Sequence, residues 1–338
     1  MIAFQYTRAH DVADAVRQIA ADPAAKFIAG GTNLLDLMKD DVERPTGLID
    51  ISRLPLKSVE ETAAGGLRIG ALVPNADLAY HPLVAQRYPI LASAILAGAS
   101  PQLRNMASTG GNLLQRTRCY YFYDTATPCS KRDPGSGCSA ISGLNRMHAI
   151  LGTSEACIAT HPSDMCVALA ALDATVHVAG PAGARAVAVS DFHRLPENTP
   201  QHDTNLQRNE IITSVELPAR GFAANYTYLK IRDRLSYAFA LVSVAAALEL
   251  DGSTITEARL ALGGVAHKPW RDAAAEAALR GQAVAQSTFA RAADVLLREA
   301  KGFAHNAFKI DLARRAIVRA LTQAAAGTPQ SQSDKKVR

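Results

Sequence analysis

The sequence places all of its cysteines in one short stretch, and this clustering constrains the fold more than any other feature. The chain has 338 residues and five cysteines, all between residues 119 and 166. An odd number of cysteines in a chain without a signal-peptide pattern argues against a secreted disulfide framework. The clustering therefore indicates a segment used for metal binding or redox chemistry. The five are Cys119, Cys129, Cys138, Cys157 and Cys166.

The stretch around the first four cysteines is predicted to be a long irregular loop. From about residue 116 to 160 it is rich in Pro and Gly and shows no sustained helical or strand period. A structureless segment of that length in a compact protein needs something to order it. Nine, eight and eighteen residues separate the four cysteines, so the tight pairs of zinc ribbons and bacterial ferredoxins are missing. Spacing alone leaves zinc, an iron–sulfur cluster and reduced thiols open.

The fifth cysteine and the overall composition give more ordinary expectations. Cys166 lies in an apolar helical run and is predicted to be a small buried residue. Hydrophobic residues make up 48% and charged residues 20% of the chain, which is typical of a folded protein of two or three domains. The net charge of +5 is scattered, so no nucleic-acid partner is expected. No stretch approaches the ~20 apolar residues of a membrane span.

Two segments combine paired glycines with small polar residues. The first follows a short apolar strand and reads Gly30-Gly31-Thr32-Asn33, and the second reads Ser108-Thr109-Gly110-Gly111-Asn112. Paired glycines let backbone N–H groups approach a phosphate closely. Neither the Rossmann glycine pattern nor a P-loop is present, and each segment alone is typical of a tight turn. Together they predict a site for a dinucleotide pyrophosphate, which needs donors from two sides.

With these segments and several further motifs, the chain resembles the FAD-binding subunits of the molybdenum hydroxylases, which include the xanthine dehydrogenase and carbon monoxide dehydrogenase flavoproteins. The motifs occur in family order from residue 1 to about residue 325. The further motifs are Ile69-Gly70-Ala71, Gln102-Leu103-Arg104-Asn105, His161-Pro162-Ser163-Asp164, Glu210-Ile211-Ile212, and Gly263-Gly264-Val265-Ala266 with Pro269.

The resemblance implies an α+β fold in which two subdomains of the vanillyl-alcohol-oxidase type hold FAD between them. A C-terminal α+β domain, a three-stranded sheet with helices, would follow. The expected boundaries are residues 1–57 and 58–220 for the subdomains, with the cysteine insertion at about 116–160, then 221–326 for the C-terminal domain and 327–338 for a disordered tail.

The resemblance also implies which residues contact FAD. The first segment would wrap the pyrophosphate, the second would meet it from the other subdomain, Asp164 and Ile212 would contact the cofactor, and Lys230 would lie near the isoalloxazine. Taken alone, Asp164 is typical of a helix N-cap and Lys230 of a solvated strand lysine. The first set comprises Lys26, Phe27, Ile28, Ala29, Gly30, Gly31, Thr32, Asn33 and Leu34, and the second Ser108, Thr109, Gly110, Gly111 and Asn112.

The insertion of about forty residues departs from most of the family. It resembles the insertion in the flavin subunits of bacterial three-subunit periplasmic aldehyde oxidoreductases, which implies a [4Fe–4S] cluster, with structural zinc as the alternative. His148 and His161 offer alternative ligands, although histidines near such a loop are more often exposed. The expected cluster ligands are Cys119, Cys129, Cys138 and Cys157.

Four basic residues flank the expected ligands. They could offset the charge of a negative cluster, dock an acidic partner, or simply face solvent. They are Arg116, Arg118, Lys131 and Arg132.

The function implied is that of an electron-transfer oxidoreductase subunit for aldehyde oxidation. The molybdenum cofactor and [2Fe–2S] clusters would lie on two partner subunits of a heterotrimer, and FAD would pass electrons to an external acceptor. No catalytic residue is assigned, since no Ser-His-Asp, HExxH or paired-carboxylate pattern occurs. The alternatives are a self-sufficient flavin oxidase or reductase of the same fold and a binding module stabilised by a structural zinc ion.

The start of the sequence lacks the charged and apolar regions of a signal peptide. The resemblance implies a periplasmic location, reached by co-export with a partner that carries a twin-arginine signal. The alternative is a cytoplasmic location.

Overall fold

Three β-sheets follow one another along the chain and define its two N-terminal lobes and its C-terminal unit. The computed structural model describes residues 1–332. The sheets contain three, five and four strands in that order. Within the described residues, no helix combines the length and apolarity needed to cross a membrane.

The first lobe is built on a parallel sheet of order β1-β3-β2. Its first helix begins at the N-cap Asp11, whose carboxylate accepts a hydrogen bond from the Asp14 N–H at 2.7 Å, and it buries Ala15 and Ile19. The loop after β2 leaves the carboxyl end of the sheet, where open α/β sheets bind ligands. The elements are β1 Gln5–Arg8, α1 Val12–Ala21, β2 Ala25–Ile28, α2 Leu34–Lys39 and β3 Gly47–Asp50.

The second lobe surrounds an antiparallel sheet of order β4-β5-β8-β6-β7. Helices α5 and α10 are apolar on almost every side, and they pack together in the centre of the lobe. The elements are β4 Val59–Glu61, β5 Leu67–Gly70, α3 Asn75–Tyr80, α4 Pro82–Arg87, α5 Pro89–Ala97, α6 Pro101–Met106, α7 Thr109–Leu113, α8 Tyr120–Tyr123, α9 Ser139–Ser142, α10 Asp164–Ala171, β6 Thr175–Gly180, β7 Gly183–Ala188, α11 Val189–Phe192 and β8 Ile211–Leu217.

The C-terminal unit is an antiparallel sheet of order β12-β11-β10-β9 with three helices. The expected three-stranded sheet gains a fourth strand of two residues, Trp270–Arg271. The elements are β9 Asn225–Ile231, β10 Val242–Asp251, β11 Thr254–Gly263, β12 Trp270–Arg271, α12 Ala273–Ala277, α13 Gln286–Leu296 and α14 Phe308–Ala325.

Strand β10 corrects one sequence expectation, because the run from Val242 to Ala247 predicts a helix. Val244 and Ala246 belong to the core beneath α13 and α14, whereas Ala245 and Ala247 belong to the core of the second lobe. A strand buried on both faces shows no polar alternation, so its pattern cannot be told from that of a buried helix.

The end of the described chain lies against the edge of the C-terminal sheet. The Lys230 N–H donates to Gln330 Oε1 at 2.9 Å, and Gln332 Nε2 donates to the Tyr228 carbonyl at 3.2 Å. The expected disordered tail from residue 327 is therefore wrong through residue 332, because these side chains pair with the open edge of β9. Residues 333–338 of that tail lie outside the described residues.

Candidate functional site

A large cleft runs between the two lobes and reaches the C-terminal sheet. Its volume is about 1310 Å³, above the ~300–1000 Å³ of most small-molecule pockets. Every residue that the sequence places at the dinucleotide lines this cleft except Thr109. The side chain of Thr109 turns inward, and its hydroxyl donates to the Val73 carbonyl at 3.0 Å.

The first paired-glycine segment forms the floor of the cleft between β2 and α2. Gly31 has a φ of +71°, which favours glycine, and a Cβ on Gly30 would overlap the Met106 carbonyl oxygen. The absence of a side chain at Gly30 therefore allows the two lobes to approach closely. Among the described residues, no acceptor binds the N–H groups of Gly30, Gly31, Thr32 or Asn33. Consecutive free amides of this kind suit a phosphate.

The second paired-glycine segment is arranged differently. Ser108 caps α7, its hydroxyl accepting from the Gly111 N–H at 3.2 Å, while the Gly110 N–H donates to the Ala71 carbonyl at 2.7 Å. The Asn112 N–H donates to the Ser108 carbonyl. The N–H groups of Gly110, Gly111 and Asn112 are thus used within the fold, and the expectation that this segment meets the pyrophosphate stays a prediction.

One wall of the cleft contains a buried ion pair. Lys230 Nζ lies 2.7 Å from Asp164 Oδ2, and the Tyr228 hydroxyl donates to Asp164 Oδ1 at 2.7 Å. Asp164 is 8% and Lys230 5% exposed. Ser163, not Asp164, is the N-cap of α10. Lys230 is thus a buried partner of Asp164 rather than a solvated lysine, and burial with the nearby carboxylate raises the pKa of Tyr228.

Several basic side chains also line the cleft, and the sequence analysis assigned them no role there. They are scattered along the chain, and only Arg104 lies within one of the motifs named above, so their shared position in the fold is what identifies them as cleft residues. They are Arg44, Arg104, Arg118, Arg146, Arg208 and Arg234. Together they make the cleft suitable for an anionic cofactor.

The cysteine insertion encloses a small cavity of its own, which all four expected cluster ligands line. The backbones of Cys129 and Cys138 form an isolated antiparallel β-bridge. The backbones of Ser154 and Cys157 form a second one. The side chains of Phe122 and Ala140 complete an apolar shell around the thiols. The loop is thus ordered by local hydrogen bonds and by packing of its aromatic residues.

The four cysteines of the insertion form no disulfide bond with one another, and two of their thiols have shifted pKa values. Burial raises the pKa of Cys119 to about 12 and that of Cys157 to about 11, the latter opposed by the Lys131 charge. A bound metal would deprotonate such thiols outright. Cys166 is 0% exposed and does not line this cavity, in line with the expectation that it is a small buried residue.

Both histidines that the sequence offers as alternative ligands are buried rather than exposed. His148 Nε2 lies 3.0 Å from Cys119 Sγ, and His148 is 1% exposed. Burial, aided by the Lys309 charge, lowers the pKa of His148 to about 4. His161 lies apart from the insertion, against the ring of His193.

The basic residues beside the thiols form ion pairs and hydrogen bonds with other residues of the chain. Arg116 bridges Glu43 at 2.6 Å and Asp203 at 2.9 Å, and Lys131, 2% exposed, also pairs with Asp203. Arg132 donates to the backbone carbonyls of Tyr121, Phe122 and Thr127. A surface that docks an acidic partner is therefore not formed by Lys131 or Arg116, because folding pairs both with carboxylates.

Two protein families together match almost the whole chain. Residues 2–220 match the family described as the FAD binding domain in molybdopterin dehydrogenase, and residues 226–324 match the CO dehydrogenase flavoprotein C-terminal domain.

Individual proteins show the same similarity. The chain is 54% identical over 327 residues to the aldehyde oxidoreductase FAD-binding subunit PaoB of Escherichia coli, covering 96% of this chain and 99% of that one. It is 29% identical to the glyceraldehyde dehydrogenase medium chain of Sulfolobus acidocaldarius, covering 79% and 78%. The solved carbon monoxide dehydrogenase of Hydrogenophaga pseudoflava matches with a TM-score of 0.76 and 27% identity, over 97% and 99% of the chains. These similarities confirm the expected α+β fold.

Proposed function

The chain belongs to the FAD-binding subunits of the molybdenum hydroxylase family, and from this premise we propose that it is the electron-transfer subunit of an aldehyde oxidoreductase. The aldehyde class is taken from the Escherichia coli relative, which matches nearly the whole chain. The chain itself would receive electrons from partner subunits and deliver them to an external acceptor. The substrate pocket would lie on the molybdenum subunit.

The cleft fits FAD in size and in its polar groups. The free amides from Gly30 to Asn33 would hold the pyrophosphate, and the wall formed by Asp164 and Lys230 would contact the flavin end. Ile212 contributes apolar surface to the same cleft. Bound FAD would supply a redox carrier, while the protein positions it and sets its electrostatic surroundings.

The spacing of the four cysteines favours a [4Fe–4S] cluster over a single zinc ion. Tetrahedral zinc with Zn–S bonds of about 2.3 Å holds its sulfurs about 3.8 Å apart. Within residues 1–332, the side chains grouped tightly enough for a single ion do not include these four cysteines, although all four line one cavity. A cubane places each thiolate on a different iron and so needs a wider spacing, which supports a cluster as the occupant.

The relation between the two sites is the observation that carries the proposal. Arg118 and Tyr120 line the cleft, whereas Cys119, between them, lines the cysteine cavity. The two cavities therefore adjoin along this segment. Two redox groups held on opposite sides of it would be close neighbours, which suits electron transfer and has no evident use in a binding module.

The remaining parts of the proposal concern partners and location. A molybdenum-cofactor subunit and a [2Fe–2S] subunit would complete a heterotrimer, and the relatives are themselves named as a subunit and a medium chain of larger enzymes. The complex would be periplasmic, exported folded with a partner that carries a twin-arginine signal. Replacing that arginine pair by lysines should leave this chain in the cytoplasmic fraction; recovery from the periplasm would contradict co-export.

Reconstitution tests the proposed function. The purified chain loaded with FAD should not oxidise an aldehyde with a dye acceptor, whereas the chain combined with both partner subunits should. Partner subunits without this chain should reduce a small dye but lose turnover with the physiological class of acceptor. Aldehyde oxidation by this chain alone would overturn the proposal and favour a self-sufficient flavin enzyme.

A further inference from the structure

Three potential metal ligands meet in the second lobe, outside the cavity that the four cysteines line. His161 precedes α10, Cys166 lies in the first turn of α10, and His193 follows α11. One ligand atom from each lies within 4.8 Å of the others, and the two imidazole rings are 4.3 Å apart between centroids. The three side chains come from segments up to 32 residues apart, so the fold rather than local sequence brings them together.

Three of the four ring nitrogens in this cluster lack hydrogen-bond partners. Both ring nitrogens of His161 and Nδ1 of His193 are buried without a hydrogen bond. His161 is 8%, His193 2% and Cys166 0% exposed. A buried polar atom left unpaired destabilises the folded chain, so three such atoms in one place favour an occupant that satisfies them.

The second ring nitrogen of His193 indicates what that occupant is. His193 Nε2 donates to the Leu113 carbonyl at 2.8 Å, which leaves the lone pair on Nδ1 free. Metal-binding histidines commonly use this arrangement, in which a backbone carbonyl fixes the tautomer and the other nitrogen binds the ion.

We propose that His161, Cys166 and His193 form a second metal site that binds a single Zn²⁺ ion. Two imidazoles and one thiolate are ligands that zinc prefers, and a water can complete the tetrahedron. The thiol proton of Cys166 would leave to solvent as the Zn–S bond forms, with no change in oxidation state. The ion would tie α10 to α7, through the Leu113 carbonyl, and to the segment after α11.

The site is independent of the proposed electron transfer and of the four-cysteine cavity. Zinc has no redox chemistry, so its role here is to fix the start of α10, where Asp164 faces the cleft. Loss of this site would leave the iron expected in the insertion in place. Failure of one proposal is therefore distinguishable from failure of the other.

Two variants separate the two metals. In the full chain purified after growth with added zinc, elemental analysis should find about one zinc per chain. C166A should lose the zinc and keep its iron, whereas C129A should lose iron and keep the zinc. Zinc retained at wild-type level in C166A, or zinc near background in the wild type, would overturn the proposal.

X-ray absorption at the zinc edge gives a test that needs no variant. The wild-type chain should show nitrogen scatterers with one sulfur at about 2.3 Å. Four sulfur scatterers would place the zinc in the insertion instead and would contradict the second site. This measurement decides the matter even where C166A does not fold.

Discussion

The Nε2 atom of His148 lies 3.0 Å from the Sγ atom of Cys119. His148 Nδ1 has no partner among the described residues, so Nε2 is the nitrogen placed to donate. A thiolate bound to iron accepts hydrogen bonds, and such bonds raise the reduction potential of a cluster. His148, which the sequence offered as an alternative ligand, is thus placed to adjust the potential of the proposed cluster.

Replacing His148 by Phe should lower the potential of the proposed cluster. A hydrogen bond of about 1 kcal/mol in a one-electron couple corresponds to roughly 40 mV. H148Q, which retains an N–H donor, should recover part of the loss, and H177F, outside the insertion, should change nothing. Redox titration followed by electron paramagnetic resonance measures the shift; an unchanged potential in H148F would show that the contact has no such effect.

Replacing Gly30 by Ala should weaken FAD binding at least tenfold. The new Cβ would overlap the Met106 carbonyl oxygen, so the first paired-glycine segment must move away from the second lobe. G281A is a matched control, because Gly281 also lies beside a turn, with φ +72° and open space around its Cβ, and costs about 1 kcal/mol in strain alone. Titration of the FAD-free chain with FAD measures the change. Equal affinity in G30A and wild type would rule out this close approach.

Replacing Lys230 by Met should destabilise the chain by about 3–5 kcal/mol, because Asp164 would keep a buried charge without its cation. The double variant D164N/K230M should be more stable than K230M, since no unpaired charge is left. Urea unfolding of the two variants and of D164N completes the cycle. A double variant whose loss equals the sum of the single losses would mean that the pair is not coupled.

Lys309 gives a pH dependence of stability with a definite sign. It is 0% exposed and donates to the carbonyls of His148 and Gly264, and burial lowers its pKa to about 7. Between about pH 7 and 10 the unfolded chain therefore binds a proton that the folded chain does not, so stability rises with pH in this range.

K309M should lower the slope of the free energy of unfolding against pH by the contribution of about one proton, or roughly 1.4 kcal/mol per pH unit. Urea unfolding at several pH values from 7 to 10 measures the slopes, with K301M at an exposed lysine as the control. Parallel slopes for K309M and wild type would show that Lys309 is charged in the folded chain over the whole range.

The sequence predicted the elements with strong local patterns and missed those that depend on distant contacts. Helix α5 and strand β8 follow from apolar runs bounded by Pro or Gly. Strand β10 was expected to be helical, because a strand covered on both faces has no polar alternation.

The candidate site shows the same division. The first paired-glycine segment could be found from its residues. The sequence did not predict that the N–H groups of the second segment are used in the capping of α7 by Ser108. Arg116 pairs with residues 73 and 87 positions away, and such long-range ion pairs have no local signal. The same is true of His161 and His193, whose meeting depends on the packing of α10 and α11.

Iron, acid-labile sulfide and FAD per chain, measured on protein purified without oxygen and combined with absorption spectra before and after dithionite, test the central claim most directly. The account predicts about four irons, four sulfides and one FAD, with bleaching of both chromophores on reduction. FAD without iron and sulfide would contradict the assignment of the four-cysteine cavity. A colourless chain without flavin would contradict the electron-transfer function itself.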